Sequence, residues 1–140
     1  MGNKAYELIE HTADIAIRVK GKDLKDLFKN AALAIFQISA EKREDKNIKH
    51  KEIKIRQEAD NLQELFVNWL NEVISLSAAK GLIFEDLQIN KLSENNLEAI
   101  AIGSDINNYK INSEIKAATY HELHIEKTNS GWQAEVIFDV

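Results

Sequence analysis

Cysteine is absent from the 140 residues, which excludes disulfides, thiolate metal sites and cysteine nucleophiles. Proline is absent too, with no functional consequence that follows from it. The five glycines are scattered, so none of them builds a glycine-rich phosphate loop. No apolar run approaches the roughly 20 residues that a bilayer-spanning helix needs. The opening Met1-Gly2-Asn3-Lys4 leads into a strand-like segment and not into an apolar leader core. The expectation is a cytoplasmic protein without membrane association. A formal charge of −5 argues against coating nucleic acid by bulk electrostatics, which depends on clustered cations releasing counterions. An acidic chain can still serve RNA chemistry by binding an enzyme. The four histidines have no recognised zinc spacing, and no Gly-x-Ser-x-Gly elbow occurs.

What is present fits one domain covering residues 1–140, with 44% hydrophobic and 29% charged residues. Tyr6 to Glu10 reads as a strand, interrupted by His11-Thr12-Ala13-Asp14 and resumed by Ile15 to Val19. There Ile15, Ile17 and Val19 point one way, and Asp14, Ala16 and Arg18 the other. After Gly21, Asp23 reads as an N-cap. Leu24, Leu27, Phe28, Ala31, Ala32, Ile35 and Phe36 then follow at helical spacing, predicting a helix to about Ile38. Residues 41–51 mix Lys and Arg with acids and read as a solvated loop. Ile53-Lys54-Ile55 is a short strand.

Asp60 or Asn61 caps a second helix, with Glu64 in capping-box position and Gly81 as its stop. From there the period changes to two. Phe84–Leu92 and Leu97–Ile102 form a hairpin, Gly103–Ser113 a polar loop, and Glu114–Lys127 one long strand. Asn129-Ser130-Gly131 turns into the terminal strand Trp132–Val140. The fold class expected is α+β, with two amphipathic helices packed on a largely antiparallel β-sheet.

The terminal strand carries its alternation to the last residue. Trp132, Ala134, Val136, Phe138 and Val140 share one face; Gln133, Glu135, Ile137 and Asp139 share the other. The Asp139 carboxylate and the terminal carboxylate of Val140 therefore begin either a hard-cation site or a solvated sheet end. Asp14 has two readings as well: a third source of oxygens beside them, or a cap for backbone N–H groups in a turn. With Thr128 facing Gly131 across the last turn, Asp139 falls opposite Tyr120. Lys116 then projects from the same side as Asp139, roughly 13 Å further along by strand rise.

Three blocks, taken in order, resemble the archease family. The first is Glu10-His11-Thr12-Ala13-Asp14-Ile15-Ala16-Ile17, with Gly21 and the helix bearing Leu27-Phe28 and Asn30-Ala31-Ala32. The second is Leu65-Phe66-Val67-Asn68-Trp69-Leu70-Asn71-Glu72. The third runs from Glu114-Ile115-Lys116-Ala117-Ala118-Thr119-Tyr120-His121 to the closing Val136-Ile137-Phe138-Asp139-Val140. The resemblance implies an accessory protein of the tRNA-splicing RNA ligase that promotes metal-dependent guanylylation and multiple turnover without catalysing ligation. Contact with RNA is then indirect. It also implies a calcium site built from Asp14, Asp139 and an oxygen of Val140, a functional role for Lys116, and a place for His11 in the most distinctive motif. The chain departs from the family pattern after Gly103, where it has Ser104 and then Tyr109-Lys110. Two other classes compete: a metal-dependent phosphohydrolase using Asp14 and Asp139, and a general protein-binding chaperone module. The sequence does not set the oligomeric state.

Overall fold

The computed structural model describes residues 5–9, 14–43 and 48–140. In chain order the elements are β1 (Tyr6–Ile9), β2 (Ile15–Gly21), α1 (Leu24–Ser39), β3 (Ala40–Lys42), β4 (Lys51–Glu58) and α2 (Leu62–Lys80). They continue with β5 (Leu82–Leu92), β6 (Asn96–Asp105), a 3-10 turn (Ile106–Asn108), β7 (Tyr109–Ile111), β8 (Ala117–Ala118), β9 (His124–Thr128) and β10 (Gly131–Asp139).

Among the described residues every strand pairing is antiparallel, but the strands form three sheets and not one. In the first, the order is β1-β2-β10, with β9 and then β8 along the far edge of β10. The second has the order β4-β6-β5, and β3 with β7 makes a separate ribbon. Helix α1 packs against β2 of the first sheet and β5 of the second, so it is buried on more than one side. Ala34, seven residues after Leu27 and three after Ala31, lies on the same stripe and is as enclosed as Leu27 and Phe28.

The helix ends follow their capping chemistry. Asp23 accepts from the Asp26 N–H, and Asn61, the correct choice over Asp60, accepts from the Glu64 N–H at 2.8 Å. Gly81 closes α2 with φ 64, a left-handed conformation that costs a Cβ-bearing residue. The helices meet through Phe28 and Phe66, whose rings are 5.0 Å apart edge to face. The buried Trp69 Nε1 donates to the Phe28 carbonyl at 2.9 Å. A buried indole N–H without such a partner would be costly, so this bond fixes the register of α2 on α1. Gly21 serves close approach: a Cβ there would lie 2.3 Å from the Leu27 nitrogen.

Two expectations are corrected. The polar loop expected at 103–113 is mostly ordered: β6 runs to Asp105, and β7 pairs with β3. Ser104 and Tyr109 supply the reason, since both are buried and their hydroxyls lie 3.4 Å apart. The long strand expected at 114–127 is broken. It becomes β8 and β9, separated by Thr119–Leu123.

The last hairpin keeps the expected register from Gly131 opposite Thr128 to Glu135 opposite His124. Five residues, Thr119 to Leu123, then oppose only two on β10, Val136 and Ile137. Pairing resumes with Phe138 opposite Ala118 and Asp139 opposite Ala117. An excess of three residues is odd, so the alternation flips across the excursion. The Leu123 N–H closes the turn on the Tyr120 carbonyl at 3.1 Å, and Glu122 takes a left-handed φ of 52. His121 therefore lies within the turn and His124 begins β9, so the two do not share a continuous strand.

Tyr120 is exposed, yet partial burial first, and the nearby Glu64 second, push its phenol above the ordinary 10.0. The fold thus favours the neutral phenol. This contribution is complete below pH 10.0 and is lost as pH rises through the raised value. In an ultraviolet-monitored titration, Glu64→Gln should lower the Tyr120 transition part of the way toward ordinary tyrosine; an unchanged or higher transition would contradict the assignment. In urea unfolding, Gly21→Ala should cost more than about 2 kcal/mol through the clash with Leu27. Gly81→Ala, whose Cβ meets open space, should cost only about 1 kcal/mol; the reverse order would contradict the packing.

Candidate functional site

The core sequence of β10 explains how its polar end is held. Ala134, Val136 and Phe138 are buried between the sheet and α1, as the alternation predicts. On the opposite face Ile137 is also buried, only 4% exposed, although it alternates with Gln133, Glu135 and Asp139. The excursion at Thr119 accounts for part of this cover: the Thr119 N–H and hydroxyl both donate to the Ile137 carbonyl, at 3.0 and 2.9 Å. Glu122, Ile9 and Ala16 join Ile137 around a small recess there.

The same face carries a cross-strand triad. Glu7 pairs with Arg18 and Arg18 with Glu135, on three neighbouring strands at one level. The Arg18 guanidinium donates to Glu7 at 2.7 Å and to Glu135 at 2.8 and 2.9 Å. Its hydrogen bond to Glu7, then that to Glu135, raise its pKa and hold it charged. In water such a triad sets alignment more than stability.

Following this ladder leads to the candidate site. Glu135 faces Arg18, Ile137 faces Ala16, and the final pair is Phe138 with Ile15. Asp139 and Asp14 are the residues one step beyond that pair, one on each strand. By alternation both belong to the face of Ile137 and Ala16. Pairing ends at Phe138 with Ile15 and Asp14 lies in a bend, so the ladder places the two residues at its end without pairing them. Two carboxylates, from residues far apart in sequence, are thus brought to one sheet corner. Asp139 and Val140 are exposed and Asp14 is half-buried.

Lys116 stands at the same corner, by a route other than the expected one. Asp139 lies opposite Ala117, not Tyr120, so Lys116 is not 13 Å along the strand on the Asp139 face. Its backbone N–H donates to the Asp139 carbonyl at 2.8 Å. The flipped alternation separates the two side-chain directions while shortening the distance along the strand. Among the described residues the exposed Lys116 ammonium makes no hydrogen bond or ion pair, as is true of the exposed Asp139 carboxylate. Beside Lys116 opens an apolar recess of about 470 Å³ between the C-terminal turns of the helices, bordered by Phe36, Ile74, Ile83, Ile106 and Ile111. His11 lies outside the described residues.

Sequence reasoning missed Asn71. Its side-chain amide accepts from the Ala118 N–H at 2.7 Å and donates to the Ala118 carbonyl at 3.2 Å. The signal was available: asparagine is a poor residue for the middle of a helix and needs a reason to be there. Among the described residues no group of three or more His, Cys, Asp or Glu is placed to hold a metal. A cation at this corner therefore needs oxygens beyond the two aspartates. The donor chemistry nevertheless suits a hard ion, because carboxylate and main-chain oxygens are what calcium selects. No helix among the described residues is long and apolar enough to cross a membrane.

The model of the Archease protein family (MTH1598/TM1083) matches residues 6–140. The chain is 34% identical over 143 residues to protein archease of Methanosarcina barkeri, covering 98% of this chain and 97% of that protein. It is 34% identical over 146 residues to protein archease of Pyrococcus abyssi, covering 98% and 99%. The solution structure of Methanobacterium thermoautotrophicum protein 1598 superposes with a TM-score of 0.72 at 26% identity, covering 99% of this chain and all of that one (100%). The crystal structure of an archease, described as a possible chaperone, from Thermotoga maritima superposes with a TM-score of 0.67 at 26% identity over 94% of each chain. A match that runs from β1 to the final residue, on the same arrangement of two helices and antiparallel sheets, shows that this chain belongs to the archease family.

Proposed function

We propose that this protein is a non-enzymatic activator of the tRNA-splicing RNA ligase, promoting the ligase's metal-dependent guanylylation and its turnover. Asp14, Asp139 and an oxygen of Val140 hold a calcium ion in this reading, with Lys116 presented beside it. One observation carries it: Asp14 and Asp139 sit one step past the Ile15–Phe138 pair, next to the residue whose N–H binds Asp139. Like charges brought to one sheet corner repel, and a divalent ion bound between them offsets that repulsion.

Calcium takes six to eight oxygens, so about three supplied by this chain leave part of its coordination shell open. An open shell at an exposed corner suits a partner that completes it, here an acidic or phosphate group at the ligase active site. When bound, the ion supplies fixed positive charge to the partner surface. The chain's own residues do the rest: β2 and β10 hold the two carboxylates in register, and Lys116 offers a point charge for a phosphate or a ligase carboxylate. The name possible chaperone borne by the Thermotoga maritima relative fits a protein that acts on another protein.

Calorimetric titration with calcium should show Asp139→Asn weakening binding by at least about tenfold, or about 1.4 kcal/mol. In a ligase guanylylation assay with GTP and a divalent metal, the ligase–GMP adduct should form faster with this protein than without it. Asp139→Asn and Lys116→Ala should each remove most of that acceleration. Equal rates with and without the protein would defeat the activator reading. Phosphoester turnover abolished by Asp14→Asn would replace it with a hydrolase, and suppression of unrelated aggregation that survives Asp139→Ala would replace it with a general chaperone.

A further inference from the structure

Strand β8 is two residues long, Ala117 and Ala118, and a strand that short does not hold itself in place. On one side it pairs with Phe138 and Asp139 of β10. Its other edge has no strand beside it among the described residues. That edge is taken by a side chain: Asn71 pairs with both backbone groups of Ala118, accepting from the N–H at 2.7 Å and donating to the carbonyl at 3.2 Å. A carboxamide presents one donor and one acceptor side by side, as a peptide group of a neighbouring strand does. Asn71 therefore acts as a one-residue strand.

The support behind Asn71 is rigid. It follows Trp69 and Leu70, both fully buried, and Trp69 is tied to the Phe28 carbonyl of α1 at 2.9 Å. Position on α2 is thereby set by the core and passed to β8 through the half-buried Asn71 amide, alongside the packing of Ala118 in the core. Two residues before Ala118 stands Lys116, bonded through its N–H to the Asp139 carbonyl. We infer that Asn71 is a positioning residue, which clamps β8 to α2 so that Lys116 is presented at a fixed place beside the Asp14–Asp139 corner. The inference rests on the activator reading only for the purpose of that placement; the clamp is testable without the ligase.

Substitution by alanine removes the amide, and Asn71→Asp provides a near-isosteric control. Aspartate keeps an acceptor for the Ala118 N–H but turns a second oxygen toward the Ala118 carbonyl, where a donor is required. Amide hydrogen exchange on the full chain should accelerate at Ala118, Lys116 and Thr119 in both variants. The expected factor is at least about fivefold, as for loss of one ordinary hydrogen bond. Exchange in the buried turns of α2 and in the ladder between β4 and β6 should stay within about twofold of wild type. Unchanged exchange at Ala118 and Lys116, or equal acceleration throughout the chain, would overturn the clamp.

The ligase adduct assay then separates the two claims. If Lys116→Ala removes the acceleration, Asn71→Ala should remove most of it, and the double variant should fall no further than Lys116→Ala alone. Additive losses, or full acceleration by Asn71→Ala, would show that the clamp does not serve Lys116 and would overturn the inference. If Lys116→Ala leaves the acceleration intact, the activator reading loses its lysine. The localised exchange pattern alone then decides whether Asn71 positions this segment.

Discussion

Strand β10 is hydrogen-bonded along both edges, and Asp14, Asp139 and Lys116 each get their place from one of those ladders. The ladder to β2 has an unbroken register from Trp132 opposite Gly21 to Phe138 opposite Ile15, which brings Asp14 and Asp139 to one corner. The ladder on the other edge changes partner, from β9 to β8, and so brings Lys116 to the same corner. Register is firmly set here because Ala134, Val136 and Phe138 are buried; a slip of one residue would turn them to water. The polar corner is therefore held by apolar packing several residues away.

The Thr119–Leu123 excursion gives that arrangement its particular form. A regular hairpin would have carried Lys116 far from the end of β10 and left the last residues of the strand with an open edge. Three extra residues draw the chain back, so that Ala117 and Ala118 pair where Tyr120 and His121 would have been. The turn costs a left-handed backbone at Glu122, a conformation that disfavours side chains bearing a Cβ. In return, Thr119 binds the Ile137 carbonyl twice over and helps to cover a residue that strict alternation would have exposed.

Local signals made much of this readable in the sequence. Asp23, Asn61 and Gly81 marked helix ends because capping depends on neighbouring residues only. The Asn129-Ser130-Gly131 turn fixed the first part of the last hairpin for the same reason. The break at Thr119 is marked by no glycine or proline; its sign is a change of phase, from Ile115 and Ala117 to Ala118 and Tyr120 and back to Leu123 and Ile125. Ser104 and Tyr109 read as loop residues because their burial comes from distant packing. Asp14 and Asp139 were nominated as oxygen donors from their surroundings, but pairing of β2 with β10 links the two ends of the chain and no local pattern reports it. The partner of Asn71 lies 47 residues away, where no local pattern reports it.

The central claim is that the two ends of the chain meet at a cation-binding corner beside Lys116. A calcium titration followed by backbone and side-chain NMR tests it most directly, since each residue reports separately. Saturable shifts are expected only at Asp14, Lys116, Asp139, Val140 and their immediate chain neighbours, with a cross-strand proton contact between Asp14 and Asp139 in the bound state. Shifts spread weakly over the surface carboxylates, or saturable shifts centred on the Glu7–Arg18–Glu135 triad instead, would contradict it.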